Sequence, residues 1–490
     1  MQNQGTSVLR LVAIALIVMA SSSIANSQEP ATGTWQKMKH QPTFKADTAL
    51  LLTDGGVLAH EYNSQTWWRL TPTPAGSYVN GTWKKMASMQ TGYEPLYFAS
   101  AVLPDGRLLV EGGEYNDLSG IETNQGSIYD PVANTWTVVN PPSGWSTIGD
   151  SPAVILPNGT FMMGQGGQPS TRQVVFNASN MTWTATGSGK ADGFSEEGFA
   201  LLPNGSVLTV DCEHGTNSEV FDPATGKWTS AGSTINVLPN SGGLGIVPEM
   251  GPLVQRPDGT VVAFGATTHT SIYNTGTGIW TQGPDFPNGD DMADGPATLL
   301  PNGNVLVYTS PGVFNGTGTF YEFNGTSFLT APSTASSGSL QSWQGRLLGL
   351  PTGQVLYMPA DGATIDAEIY TATGAPQNSW RPHISSVPAT VARGSSYTIS
   401  GTQFNGLSAG STYGDDAQNA TNFPLVVIRN QATNHFFFAR THDHSTMAIA
   451  TGSAIVSTTF DVSATMETGA STVYVVANGI PSAGKTITVQ

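Results

Sequence analysis

One pattern recurs seven times along this chain, and no other feature constrains its fold as tightly. It is an apolar strand, a tight turn closed by glycine, and a second apolar strand. The instances are LLTDGGVLAHE from Leu51, VLPDGRLLVEGG from Val102, ILPNGTFMMGQGG from Ile155, LLPNGSVLTVDCEHG from Leu201, VQRPDGTVVAFG from Val254, LLPNGNVLVY from Leu299 and GLPTGQVLYM from Gly349. Asp-Gly and Asn-Gly mark hairpins because glycine takes positive φ without a steric penalty. The turn glycines Gly55, Gly106, Gly159, Gly205, Gly259, Gly303 and Gly353 stand 51, 53, 46, 54, 44 and 50 residues apart. Most units continue with a third strand ending in an aromatic residue, a turn, and a fourth strand led by Trp, as from Tyr129 to Trp136, Phe221 to Trp228 and Tyr273 to Trp280. Four strands in each of seven units predict an all-β ring of sheets packed face to face, a seven-bladed β-propeller.

A period near ~50 residues is that of kelch repeats. Two segments compete to close the ring: GTWQKM at Gly33 resembles a fourth strand, and NSWRP at Asn378 is the other candidate. After Trp380 the repeat stops. From His383 the sequence reads as about seven short strands, including SSYTISG, FPLVVIRN, HFFFART, VSTTFDV, TVYVVAN and KTITVQ, which predicts an immunoglobulin-like sandwich. The expected organisation is a signal peptide over 1–27, a kelch propeller over 28–380 and the sandwich over 381–490.

The signal peptide rests on Arg10, the apolar run Leu11 to Ala20, and Ala25-Asn26-Ser27 as a small-residue cleavage site. That run is shorter than the ~20 residues a spanning helix needs. No later segment is long and apolar enough, so the expectation is a secreted, extracytoplasmic protein without a membrane span once the signal is removed. Cys212 is the one cysteine, which excludes an intramolecular disulfide. Nucleic acid is excluded as a partner by the net charge of −16, which would repel phosphates.

Seven such units followed by a sandwich carrying GLSAGSTYGDDAQNATNFPLVVI and ARTHDHST resemble the galactose oxidase and glyoxal oxidase family, whose C-terminal domain is an early-set, immunoglobulin-like fold. The resemblance implies a copper ion on the propeller axis, held by a tyrosine cross-linked to cysteine, a Tyr-His pair and a sandwich histidine. Counting nine and ten residues back from each turn glycine provides the register for carrying these over. Tyr97 matches the cross-linked tyrosine and His442 the sandwich histidine. Ala46 stands at the cysteine, and Trp343-Gln344 at the Tyr-His pair. Most copper-radical ligands are therefore missing, and copper is disfavoured as a cofactor.

The same register places acids at one mouth of the channel. Asp150, Glu196 and Asp294 stand nine residues before their glycines, and Glu249 precedes Met250 in the fifth unit. Glu197, Asp290 and Asp291 lie close in sequence, and the second strands add Glu111, Asp211, Glu213, His60 and His214. Carboxylates gathered at one opening repel each other unless a cation or donors compensate. Calcium takes such oxygen ligands, with Asp150, Glu196, Glu249, Asp294, His442 and His444 as candidates. Alternatively the acids accept from sugar hydroxyls while Tyr97 and Trp343 stack on a ring, with Gln344 and His442 completing the mouth. A third alternative is that the acids only cap strand ends. The leading expectation is a carbohydrate or other polyhydroxylated ligand, bound without radical-copper chemistry. A copper alcohol or aldehyde oxidase releasing hydrogen peroxide and a glycan hydrolase using mouth carboxylates stay open.

Overall fold

The computed structural model describes residues 32–490 apart from positions 168, 246, 361 and 414–419. The expected signal peptide thus lies outside the described residues. The described chain is all-β, with strands joined by turns and four short 3₁₀ segments.

Each hairpin forms for the reason its sequence suggests, through one shared geometry. In the second unit Gly106 N–H donates to Leu103 C=O, Leu103 N–H donates to Arg107 C=O, and Gly106 alone of the turn has positive φ, +84°. This is a type I turn followed by a left-handed glycine. Asp105 Oδ1 accepts from Arg107 N–H, closing the turn a second time. Asp54, Asn158, Asn204, Asp258 and Asn302 repeat that side-chain bond in their own units.

Among the described residues the hairpins extend into seven sheets, six of four strands and one, the sixth along the chain, of five. Their inner strands are Ala46–Leu51, Ala99–Val102, Ala153–Ile155, Ala200–Leu201, Met250–Gln255, Pro296–Leu299 and Gly345–Gly349. The seventh sheet is completed by Thr34–Lys37, which pairs with Glu368–Thr371. Asn378–Trp380 forms a 3₁₀ turn instead, so the choice between the two closing segments falls to the one at Gly33.

The Trp-led fourth strands explain how one sheet holds the next. Tyr129 and Trp136 are cross-strand partners with rings 5.0 Å apart, as are Phe221 and Trp228 at 5.3 Å. Each indole then reaches back to the preceding unit: Trp136 Nε1 donates to Ala87 C=O, Trp228 Nε1 to Gln173 Oε1 and Trp280 Nε1 to Ser218 Oγ. A large buried ring with one polar donor suits this position, because packing and a hydrogen bond are both satisfied.

The C-terminal strands form two further sheets around their own core of Ile384, Ile399, Val426, Ile428, Phe460, Val473 and Ile487, an arrangement consistent with a sandwich. It sits against the turn ends of the sheets. Thr441 N–H donates to Thr53 C=O, Arg440 Nη2 to Asp105 C=O and Met447 N–H to Pro157 C=O. One segment goes further: Ser411–Tyr413 adds antiparallel to the inner strand of the sixth sheet, Tyr413 opposite Pro296.

The stretch HFFFART, expected as one short strand, is broken. Phe436–Ala439 belongs to one sheet of the sandwich and Thr441–His442 to the other. The crossing falls at Arg440, and Asp443 has φ +52°, which ends the second piece.

Candidate functional site

The inner strands all begin at the end away from the sandwich, and there a cavity of about 580 Å³ opens. Tyr97, Asp150, Glu196, Glu249, Asp294 and Trp343 line it. Three of them share an uncommon backbone state. Tyr97, Glu196 and Asp294 hold φ of +52°, +59° and +48° at equivalent positions before their strands. A side chain there costs on the order of 1–3 kcal/mol, and such residues cluster at functional sites.

Neighbouring groups hold these residues in place. Tyr97 C=O accepts from Glu114 N–H, Glu196 C=O from Cys212 Sγ–H, and Asp294 N–H donates to Met250 C=O. Glu249 is fixed by reciprocal backbone bonds with Asn240. Oxygens of Glu196, Glu249 and Asp294 lie within 4.8 Å of one another. Burial pushes Glu249 above the usual carboxylate range, opposed by carboxyl contacts with Glu196 and Asp294.

Residues that the glycine count did not reach complete the wall. Glu114 and Tyr115 follow the glycine pair Gly112-Gly113, both at positive φ. Burial pushes Glu114 up to about 7, with a smaller contribution from the charge of Glu249. Tyr115 packs edge-on to Tyr97 at 5.8 Å, and Phe314 edge-on to Trp343 at 6.3 Å, so two aromatic pairs flank the acids. Gln341 accepts from the Trp343 indole. The signal for Glu114 and Tyr115 was a GG pair directly after a second strand. Phe314 and Gln341 carried none.

Gln344 does not line the cavity. Ser342–Gln344 is a 3₁₀ turn, and the Gln344 side chain bends back to accept from Gln341 N–H. Ala46 and Met250 are buried in strand-packing clusters. His442 and His444 are also absent from the lining, since Thr441–His442 and the residues after it lie at the turn ends of the sheets. His442 faces the carboxylates of Asp443 and Asp461 through its two ring nitrogens, at 2.7 and 3.1 Å. Burial, then the charge of His442, pushes His444 down to about 3. The sandwich approaches the cavity end through Ser411–Tyr413, not through these histidines.

The other acids and histidines expected near the mouth have separate duties. His60 is buried between Asp47 and Ser64 C=O, and Asp290 accepts from Thr309 and Tyr321. Asp291 makes backbone bonds with Ser310. Glu213 and His214 are exposed, and Glu111 is buried beneath Gly126. Glu197 and Asp211 belong to a buried cluster in which Lys190 Nζ meets Asp192, Glu197, Asp211 and Glu219 at 2.7, 2.8, 3.4 and 2.7 Å. Burial opposes the charge of Lys190, but the surrounding carboxylates hold its pKa above the ordinary value.

No family model matches this sequence, and no curated protein matches it. Among solved structures, a fungal alcohol oxidase of the AA5 family, determined in complex with copper, is similar over 94% of this chain and 99% of its own, at TM-score 0.50 and 17% identity. The likeness supports a galactose-oxidase-like all-β fold. The donors at this cavity do not fit copper: carboxylates and phenols line it, and among the described residues no imidazole or thiol does. Copper sites favour imidazole and sulfur, whereas carboxylate oxygens suit hard cations. Among the described residues no helix is long and apolar enough to cross a membrane.

Proposed function

We propose that this cavity binds a neutral, polyhydroxylated ligand of the carbohydrate class without transforming it. One observation carries the reading: acids from the third to sixth sheets converge in one cavity flanked by the pairs Tyr97–Tyr115 and Phe314–Trp343. Carboxylates accept from hydroxyls, aromatic faces cover the apolar face of a sugar ring, and the volume suits a small ligand. Among the described residues no Lys, Arg or His lines the cavity, so an anionic ligand would meet repulsion there. On this reading the seven sheets are kelch-type blades over 28–380, the two-sheet domain over 381–490 is an immunoglobulin-like early set, and residues 1–27 direct secretion.

The test is a panel of neutral and anionic oligosaccharides against the protein and its Trp343→Ala and Tyr97→Phe variants. Binding of a neutral member, weakened about tenfold or more by Trp343→Ala, supports the reading. A panel with no neutral binder sinks it.

Glu114 favours a second reading, glycan hydrolysis. A carboxyl raised to about 7 is about half protonated at pH 7, which suits a general acid, and Asp150 in the same cavity supplies a second carboxyl. Release of reducing ends that disappears in Glu114→Gln would establish it.

A further inference from the structure

We infer that Glu196, Glu249 and Asp294 form a binding site for a hard divalent cation of the calcium class. The ligand's hydroxyls complete its coordination, a second clause that rests on the carbohydrate reading. Each acid offers an oxygen, and the three oxygens lie within 4.8 Å of one another. A single calcium ion holds its oxygens at ~2.3–2.6 Å, so two of its ligands stand at most about 5 Å apart. The acids come from three consecutive units, which makes the triangle a product of the ring's convergence.

Glu249 points to a ligand independently of that triangle. It is 6% exposed and lines the cavity, yet no N–H or O–H among the described residues donates to its Oε2. A buried carboxylate oxygen without a donor is costly. Its contacts with the carboxyls of Glu196 and Asp294 favour its charged form, yet they leave that oxygen without a hydrogen bond among the described residues.

The same protein shows how it compensates such a cluster when it does so internally. Asp192, Glu197, Asp211 and Glu219 surround the Lys190 ammonium at 2.7–3.4 Å. Among the described residues that line the cavity there is no Lys, Arg or His to stand beside the triad as Lys190 stands in that cluster. An oxygen-only donor set selects calcium, magnesium or manganese over copper or zinc. Three carboxylates leave several of calcium's 6–8 positions for water or ligand hydroxyls, whereas magnesium demands a stricter octahedron.

The experiment uses the full chain stripped with EDTA and titrated calorimetrically with calcium chloride alone, then with magnesium and manganese. One calcium per chain is expected, with a higher melting temperature because the ion binds the folded state. Glu249→Gln and, separately, Glu196→Gln should weaken calcium binding at least tenfold. In EDTA both variants should melt at or above the wild-type temperature, since a like charge has been removed. Wild-type protein that binds no calcium, prefers magnesium, or binds calcium equally after both substitutions overturns the site. If Glu249→Gln does not fold, the half-exposed Glu196→Gln decides. A neutral oligosaccharide that binds equally in EDTA removes the bridging clause alone. Calcium bound by a protein that takes no oligosaccharide leaves the site standing and removes the carbohydrate reading.

Discussion

At the scale of single residues, Glu114 connects local burial to a pH response. Its carboxyl, raised to about 7 in the folded protein, titrates near ~4.3 when unfolded. Between those values the folded state binds more protons than the unfolded state, so stability is lost as pH rises through the window. Glu114→Gln should flatten that decline, and melting curves from pH 4 to 8 will show it; parallel curves for the two proteins would contradict the assignment. Much of the cavity wall was legible in sequence because an inner strand of near-constant length separates the turn glycine from the mouth. Tyr97, Asp150, Glu196 and Asp294 follow from that count alone. Gln344 breaks it because Ser342–Gln344 turns as a 3₁₀ segment. His442 was misplaced because the strand carrying it changes sheet at Arg440, a tertiary event without a local signal. Glu114 was missed because two left-handed glycines re-aim the chain after its strand.

Elements obey the hairpin and its staple. At Gly259 a Cβ would meet only Thr275 Oγ1, at 3.8 Å, so Gly259→Ala isolates the cost of φ +85° from any clash. Urea unfolding should show a loss of about 1–2 kcal/mol. Gly205→Ala, whose Cβ would press on Pro157 at 3.0 Å, should cost more. Equal losses at the two sites would mean that Pro157 yields to the added Cβ and contributes nothing to the cost. Trp280→Phe keeps most of the packing and removes the donor to Ser218 Oγ, for an expected loss of about 1 kcal/mol by the same measurement. The hairpins and Trp-led strands were fully visible in sequence, since turn chemistry and aromatic spacing are local. The indole's partner in the preceding sheet was not, because that contact spans about fifty residues.

For the whole molecule, the seventh sheet joins the first strand of the repeat region to its last unit. Trp35 carries the junction: its ring packs on Phe320 and Tyr370 at 4.9 and 4.8 Å, and its Nε1 donates to Pro332 C=O. Trp35→Ala should cost about 2–3 kcal/mol, on the low side for a Trp because the side chain is only half-buried. Removing residues 34–37 altogether should cost more and leave Glu368–Thr371 as a bare edge, detectable as rapid amide exchange there. Protection unchanged at those amides would mean another segment takes the place. The register that makes this junction, Lys37 opposite Glu368, also sets a clock on biosynthesis. At roughly 5–20 residues per second, the ribosome adds the partner strand roughly 20–60 seconds after the strand it must meet. Until then Thr34–Lys37 lacks the strand it pairs with, and a chain truncated before residue 368 is expected to keep that backbone unpaired and open to pairing with other copies.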